Sequence, residues 1–122
     1  MRPIRDYIPE LLEFEQDCKK AGVYVPFKFH AGETLQDGDM ADRNIVDAYM
    51  LRARRIGHGY ALVRQPFMLE RFKKRIDYSV ECCPISNEIL HLCHSIAGHS
   101  IYTLIANNVN CNVNSDNSVF YR

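Results

Sequence analysis

The feature that most constrains this chain is a beat. Four short stretches rich in β-branched and aromatic residues end near His30, His58, Ser86 and Asp116, so successive ends lie 28, 28 and 30 residues apart. Helical patterning fills the intervals. Parallel strands need a crossover of about a dozen residues or more, normally a helix, so a repeat of this length is what βαβ units produce.

The intervals can be read one by one. Residues 7–20 (YIPELLEFEQDCKK) set Ile8, Leu11, Leu12 and Phe14 on roughly one helical face, and Lys19, Lys20 and Gly22 close that helix. Val23 to Phe29 reads as a strand despite Pro26 near its start. Asp42 is placed to cap a helix over 43–53, with Ile45, Val46, Tyr49 and Met50 as its apolar stripe. A short strand from Arg54 then ends in His58, bracketed by Gly57 and Gly59. Pro66 suits the start of a third helix, residues 77–83 read as a strand that Pro84 halts, 99–108 as a last amphipathic helix and 111–114 as a weak strand.

The order α-β-α-β-α-β-α-β assigns the chain to the α/β class with a parallel sheet. An open flavodoxin-like sheet would satisfy this order, but so strict a beat favours a piece of a (β/α)8 TIM barrel. Four strands cannot close a barrel of the usual ~250 residues. The chain therefore reads as a single partial domain, 1–122, with half the barrel missing.

Composition narrows the function classes. With 15 basic and 15 acidic residues the net charge is zero, which disfavours a nucleic-acid partner held by bulk charge. No window approaches the ~20 apolar residues of a membrane span, and Met1-Arg2-Pro3-Ile4-Arg5-Asp6 leads into no apolar signal region. The five cysteines form no C-x-x-C pair, so they are read as small buried hydrophobes and not as a disulfide or thiolate-zinc framework. No G-x-G-x-x-G or G-x-x-x-x-G-K phosphate cradle occurs.

In parallel α/β folds chemistry collects where the carboxyl ends of strands converge. His30, Glu33, His58, Glu81, Ser86, Asn87, Asp116 and Asn117 follow four successive strands, and imidazole with carboxylate is the donor set of a catalytic zinc. Each has a blander role open to it: His30 as a hydrogen-bonded turn residue, Gly57 and Gly59 as a tight βα turn, Glu33 as a solvated loop residue. Their joint occurrence on one rim is what points to a metal hydrolase.

These residues also carry a resemblance. Phe29-His30-Ala31-Gly32-Glu33, Arg55-Ile56-Gly57-His58-Gly59, Glu81-Cys82-Cys83-Pro84-Ile85-Ser86-Asn87 and Asn114-Ser115-Asp116-Asn117 resemble, in order and spacing, the four C-terminal motifs of the adenosine deaminase family. The third motif and the stretch after it are most similar to the secreted adenosine deaminase-related growth factor branch. The resemblance runs from about residue 7 to 122 and implies the C-terminal half of a metal-dependent hydrolase barrel. It implies His30 and Asp116 as Zn2+ ligands, His58 beside the attacking water, and Glu33 as the acid that protonates purine N1. Gly32 and Asn117 would meet the substrate. The implied reaction of the full-length parent is hydrolytic deamination of adenosine or 2'-deoxyadenosine. A secreted location and a homodimer of that parent come with the resemblance; no nucleic-acid or membrane partner does.

Departures accompany the matches. The family's first strand gives a His-x-His pair to zinc, and none occurs in these 122 residues. His91, His94 and His99 cannot replace it by spacing and are expected to be surface or loop residues. The family's usual Asp-Asp-Pro becomes Asp116-Asn117-Ser118, which trades the second carboxylate for an amide. Two other readings stay open at this point: a catalytically inactive binding or signalling protein, and a deaminase of another aminopurine such as adenine or adenosine monophosphate.

Overall fold

The computed structural model describes residues 2–117. A 3-10 turn at Ile4–Tyr7 leads into α1 (Ile8–Lys20), followed by β1 (Lys28–Ala31), α2 (Asn44–Met50), β2 (Arg55–His58), α3 (Pro66–Lys73), β3 (Ser79–Cys82), α4 (Pro84–Ile89), α5 (Ile101–Ala106) and β4 (Cys111–Val113). The strands form one parallel sheet in the order β1-β2-β3-β4. An open doubly wound sheet reverses its strand order at a switch point. Here each new strand is added on the same side of the last, which is the walk of a (β/α)8 barrel wall and not of a flavodoxin-like sheet.

The two faces of the sheet differ in chemistry. Phe29, Ile56, Val80 and Cys111 are paired across the ladder and so share one face. That face packs against a core that includes Ile45, Leu62, Met68, Phe72, Tyr78 and Leu104. Tyr78 meets Tyr49 at 5.2 Å and Phe72 at 5.4 Å between ring centroids, filling the space under the α2 and α3 helices. The opposite face carries Lys28, His30, Arg55, Gly57, Glu81 and Asn112 in register. Glu81 is buried there between Lys28 and Arg55, with the Arg55 guanidinium at 2.7 Å. Burial pushes the Glu81 carboxyl up, but the Lys28 and Arg55 contacts together outweigh it and hold the group below its ordinary range.

Several boundaries depart from the sequence reading. The first strand is laddered only from Lys28, because Pro26 offers no N–H and residues 23–26 are exposed. Asp42 does not cap α2. Its carboxylate instead accepts from the Gly38 N–H at 3.1 Å and the Gln65 side chain at 2.9 Å, and Arg43 takes the cap position without a side-chain bond. Pro84 halts β3 as anticipated, yet it also starts α4, a helix the sequence reading left out. Of the apolar face read into α1, Leu12 and Phe14 are exposed, whereas Ile8 and Leu11 rest partly on the core.

Candidate active site

The carboxyl ends of the strands are laced together by backbone bonds. The Gly59 N–H donates to the Ala31 carbonyl at 3.0 Å, the Ala61 N–H to the Gly32 carbonyl at 2.9 Å, and the Asn114 N–H to the Cys82 carbonyl at 2.8 Å. Arg64 then fixes the loop after β1 by donating to the carbonyls of Thr34, Leu35 and Gln36 at 2.9 to 3.1 Å. Glu33 thus stands on a tethered loop.

A cavity of about 270 Å³ opens on this rim, lined by His30, His58, Cys83 and Asp116 together with Lys28 and Glu81. His30 and His58 meet edge to face at 4.9 Å between ring centroids. The close approach depends on Gly57: a Cβ there would lie 2.9 Å from His30 Cδ2. His58 ends β2 with a φ of 64°, and Asp116 has a φ of 56°. Non-glycine residues held in the left-handed region cost energy, and such strain collects at functional sites.

His58 is the centre of the cluster and is almost fully buried. Its Nδ1 lies 3.2 Å from Glu33 Oε1 and 3.2 Å from Asn87 Nδ2, and its Nε2 is 3.9 Å from Asp116 Oδ2. Asn87 in turn meets His99 Nε2 at 2.8 Å through Oδ1, and His99 Nδ1 accepts from the Ile101 N–H at 3.0 Å. Burial raises the Glu33 carboxyl; the nearby His30 lowers it in part and the Asp116 carboxylate adds to the rise. Burial also pushes His58 down, with His30 and His99 acting the same way and Asp116 opposing. Both shifts run toward the uncharged form, the acid at Glu33 and the imidazole at His58.

Two groups of potential metal donors share His58. His30, Glu33 and His58 form one, and His58, Cys83 and Asp116 the other, with donor atoms within 4.8 Å of one another in each. Imidazole and carboxylate suit zinc. The Cys83 thiol, by contrast, is pushed up to about 11 by burial and by the Asp116 and Glu33 carboxylates, and it points to the Glu81 carbonyl at 3.6 Å. It is a neutral thiol in this environment.

Every residue singled out for the site lies among the described ones. His30, Glu33, His58 and Asp116 come together. Gly32 is buried, with its carbonyl taken by Ala61, and Asn117 is exposed at the end of the described chain. Ser86 sits in α4 and not at the strand end, its buried hydroxyl without a hydrogen-bond partner among the described residues. His91 and His94 are exposed as anticipated, but His99 is not: it is buried, because its ring bridges Asn87 and the start of α5.

The pattern that defines one protein family, described as Adenosine deaminase, matches residues 14–122. The chain belongs to the adenosine deaminase family. It is 41% identical over 102 residues to the Homo sapiens protein named Adenosine deaminase 2, a match covering 84% of this chain and 20% of that one. It is 36% identical over 115 residues to Adenosine deaminase 2-A of Danio rerio, covering 94% of this chain and 22% of the relative. The chain thus spans about a fifth of the length of these curated relatives. Among solved structures, the adenine deaminase of Arthrobacter aurescens superposes with a TM-score of 0.68 at 28% identity, covering 85% of this chain and 30% of that one. The fold of this family segment is accordingly that of a TIM-barrel hydrolase.

Two members of the site escaped the sequence reading. The motif contains Asn87 without marking it as the partner of His58, and His99 lies in a loop as expected but is buried there. The available signal was a histidine two residues before the Ile101/Leu104 apolar stripe, a position where a helix start meets the core.

Proposed function

We propose that this chain carries the proton-handling part of a hydrolytic aminopurine deaminase site, acting on adenosine or 2'-deoxyadenosine. Water replaces the C6 amino group, giving inosine or 2'-deoxyinosine and ammonia. The observation that carries the reading is a pair at the rim: a half-buried Glu33 carboxyl raised by burial, 3.2 Å from a buried His58 that burial lowers. A carboxyl shifted toward its acid form can donate to ring N1 as charge builds there, which is general acid catalysis. His58 faces the attacking water and orients or deprotonates it. Gly32 and Asn117 border the purine.

His30 and Asp116 are the ligands assigned to Zn2+, which supplies, when bound, a water acidified to a pKa of about 7 and a positive charge near the reacting centre. The remaining ligands would come from outside these 122 residues, as the missing half of a barrel. Secretion of the longer protein belongs to this same proposal, supported by the relatives named Adenosine deaminase 2, and a homodimer of it is proposed on the family resemblance alone. A second reading, free adenine as substrate, is favoured by the name of the solved structural neighbour.

The test is metal content measured beside deamination rate in the longer protein. Glu33→Gln should keep zinc and substrate binding while lowering turnover by about 10²- to 10⁴-fold, because glutamine donates a hydrogen bond but transfers no proton. His58→Ala should also keep zinc, whereas His30→Ala and Asp116→Ala should lose metal and activity together. Loss of zinc in His58→Ala, or near-normal turnover in Glu33→Gln, would overturn the division of roles.

A further inference from the structure

The buried chain Ile101–His99–Asn87–His58 has a direction. A backbone N–H can only donate, so the Ile101 N–H at 3.0 Å makes His99 Nδ1 an acceptor. The proton of a neutral His99 is then on Nε2, and it donates to Asn87 Oδ1 at 2.8 Å. With its oxygen engaged, Asn87 turns its NH2 toward His58 and donates to Nδ1 at 3.2 Å. The proton of His58 is thereby left on Nε2, the nitrogen that faces Asp116 at 3.9 Å. Asn87 and both histidines are all buried, so no water competes for these bonds.

We propose that His99 and Asn87 are positioning residues that lock His58 as its neutral Nε2–H tautomer, so that it presents a donor and not a base to the rim. The proposal rests on the deaminase reading for its consequence: of the two roles open to His58, orienting the water remains and accepting its proton at Nε2 does not. Glu33 Oε1 lies 3.2 Å from the same Nδ1, whose one lone pair the Asn87 amide takes, so the tautomer is set by Asn87 and not by Glu33. The arrangement also explains why His99 is buried in a loop-to-helix junction. Its ring converts the fixed polarity of a backbone amide into the polarity of a catalytic imidazole two side chains away.

The ring nitrogens of the 15N-histidine-labelled chain report the tautomer directly, by long-range proton–nitrogen correlation at a pH where the rings are neutral. Protonated Nε2 and bare Nδ1 are expected on both His58 and His99. Asn87→Asp keeps the shape but offers an acceptor to both rings, and should move the His58 proton to Nδ1 while leaving His99 unchanged. His99→Phe removes the donor that orients Asn87 and should bring a population of His58 Nδ1–H, whereas His99→Gln, which still donates, should restore Nε2–H. A His58 proton on Nδ1 in the unsubstituted chain overturns the proposal, and this measurement needs no variant to fold. So does an Asn87→Asp chain that folds and keeps Nε2–H. The readout is independent of turnover, which is measured in the longer protein: Nε2–H with an inactive longer protein leaves the relay standing and removes the deaminase reading, and Nδ1–H with an active one does the reverse.

Discussion

The rim of the sheet and its β1 edge are built to opposite rules. At the rim, His58, Asn87 and His99 are 2%, 0% and 2% exposed, and their side chains are joined in one hydrogen-bonded chain that runs to the Ile101 N–H. At the edge, α1 buries no residue, and Leu12, Phe14, Val23, Val25 and Tyr24 stand open, the last at 76% exposure. Buried polar groups are tolerated only when bonded, while contiguous exposed apolar surface marks a face that meets something else. The contrast teaches where the information lies. The hydrogen-bonded chain at the rim is complete among the described residues, whereas the edge shows apolar patterning whose cover is not among them.

The sharpest way to break the comparison is at Gly59. It has a φ of 56°, and a Cβ there would lie 2.5 Å from Val80 Cγ1, in the middle of the β2–β3 pair. Gly59→Ala combines left-handed backbone strain with overpacking and should cost about 2–5 kcal/mol. Gly38→Ala provides the reference, with a φ of 73° but nothing within 4 Å, so it should cost only the backbone part, about 1–2 kcal/mol. Urea denaturation midpoints of the two variants measure the difference. Equal costs would mean that Val80 gives way and that the rim is not tightly packed.

A middle-sized effect is carried by His99. His99→Leu leaves Asn87 Oδ1 without its donor in a buried site, a loss of about 1–3 kcal/mol. The pH dependence supplies the sign. Burial lowers His99, so the folded chain holds it neutral while the unfolded chain takes up a proton near its ordinary value. The unfolded state therefore binds more protons on acidification. This contribution to stability is full above about pH 6.5 and is lost as pH falls from there toward the depressed folded value. His58 is displaced in the same direction, chiefly by burial. Denaturation midpoints between pH 5 and 8 should thus slope less steeply in His99→Leu. An unchanged slope would show that His99 is not held neutral by its burial.

What the sequence made legible follows the same division. The strand beat, the parallel order and the meeting of His30, Glu33, His58 and Asp116 on one rim were readable because strand ends converge by topology, whichever side chains they bear. The Asp42 cap was misread because a carboxylate that can reach an N-terminus can also reach Gly38 and Gln65 across the loop, and sequence spacing does not rank the two. Pro84 was read as a stop because proline both ends strands and begins helices. His99 was misplaced for a different reason: its partner Asn87 is 12 residues away and its burial is a property of packing, which no local period encodes.

The smallest expected effect tests the edge. Leu12 is 43% exposed on α1 and Tyr24 lies in the unladdered stretch before β1, so a charge at either displaces little that is packed. Leu12→Glu with Tyr24→Glu should shift stability by no more than about 0.5 kcal/mol for each substitution. Leu11, one residue away, rests against the core and sets the contrast: Leu11→Glu drives a carboxylate toward apolar neighbours and should be clearly destabilising. The double variant should instead change association. An exposed apolar stripe beside the β1 edge, whose outer backbone groups pair with no strand among the described residues, is a template for self-pairing, and two added charges oppose it. Sedimentation velocity over a concentration series separates the two effects, with a fall in self-association at unchanged denaturation midpoint as the expected outcome. A double variant as destabilised as Gly59→Ala would show that the edge is held as tightly as the rim, and the comparison between them would fall.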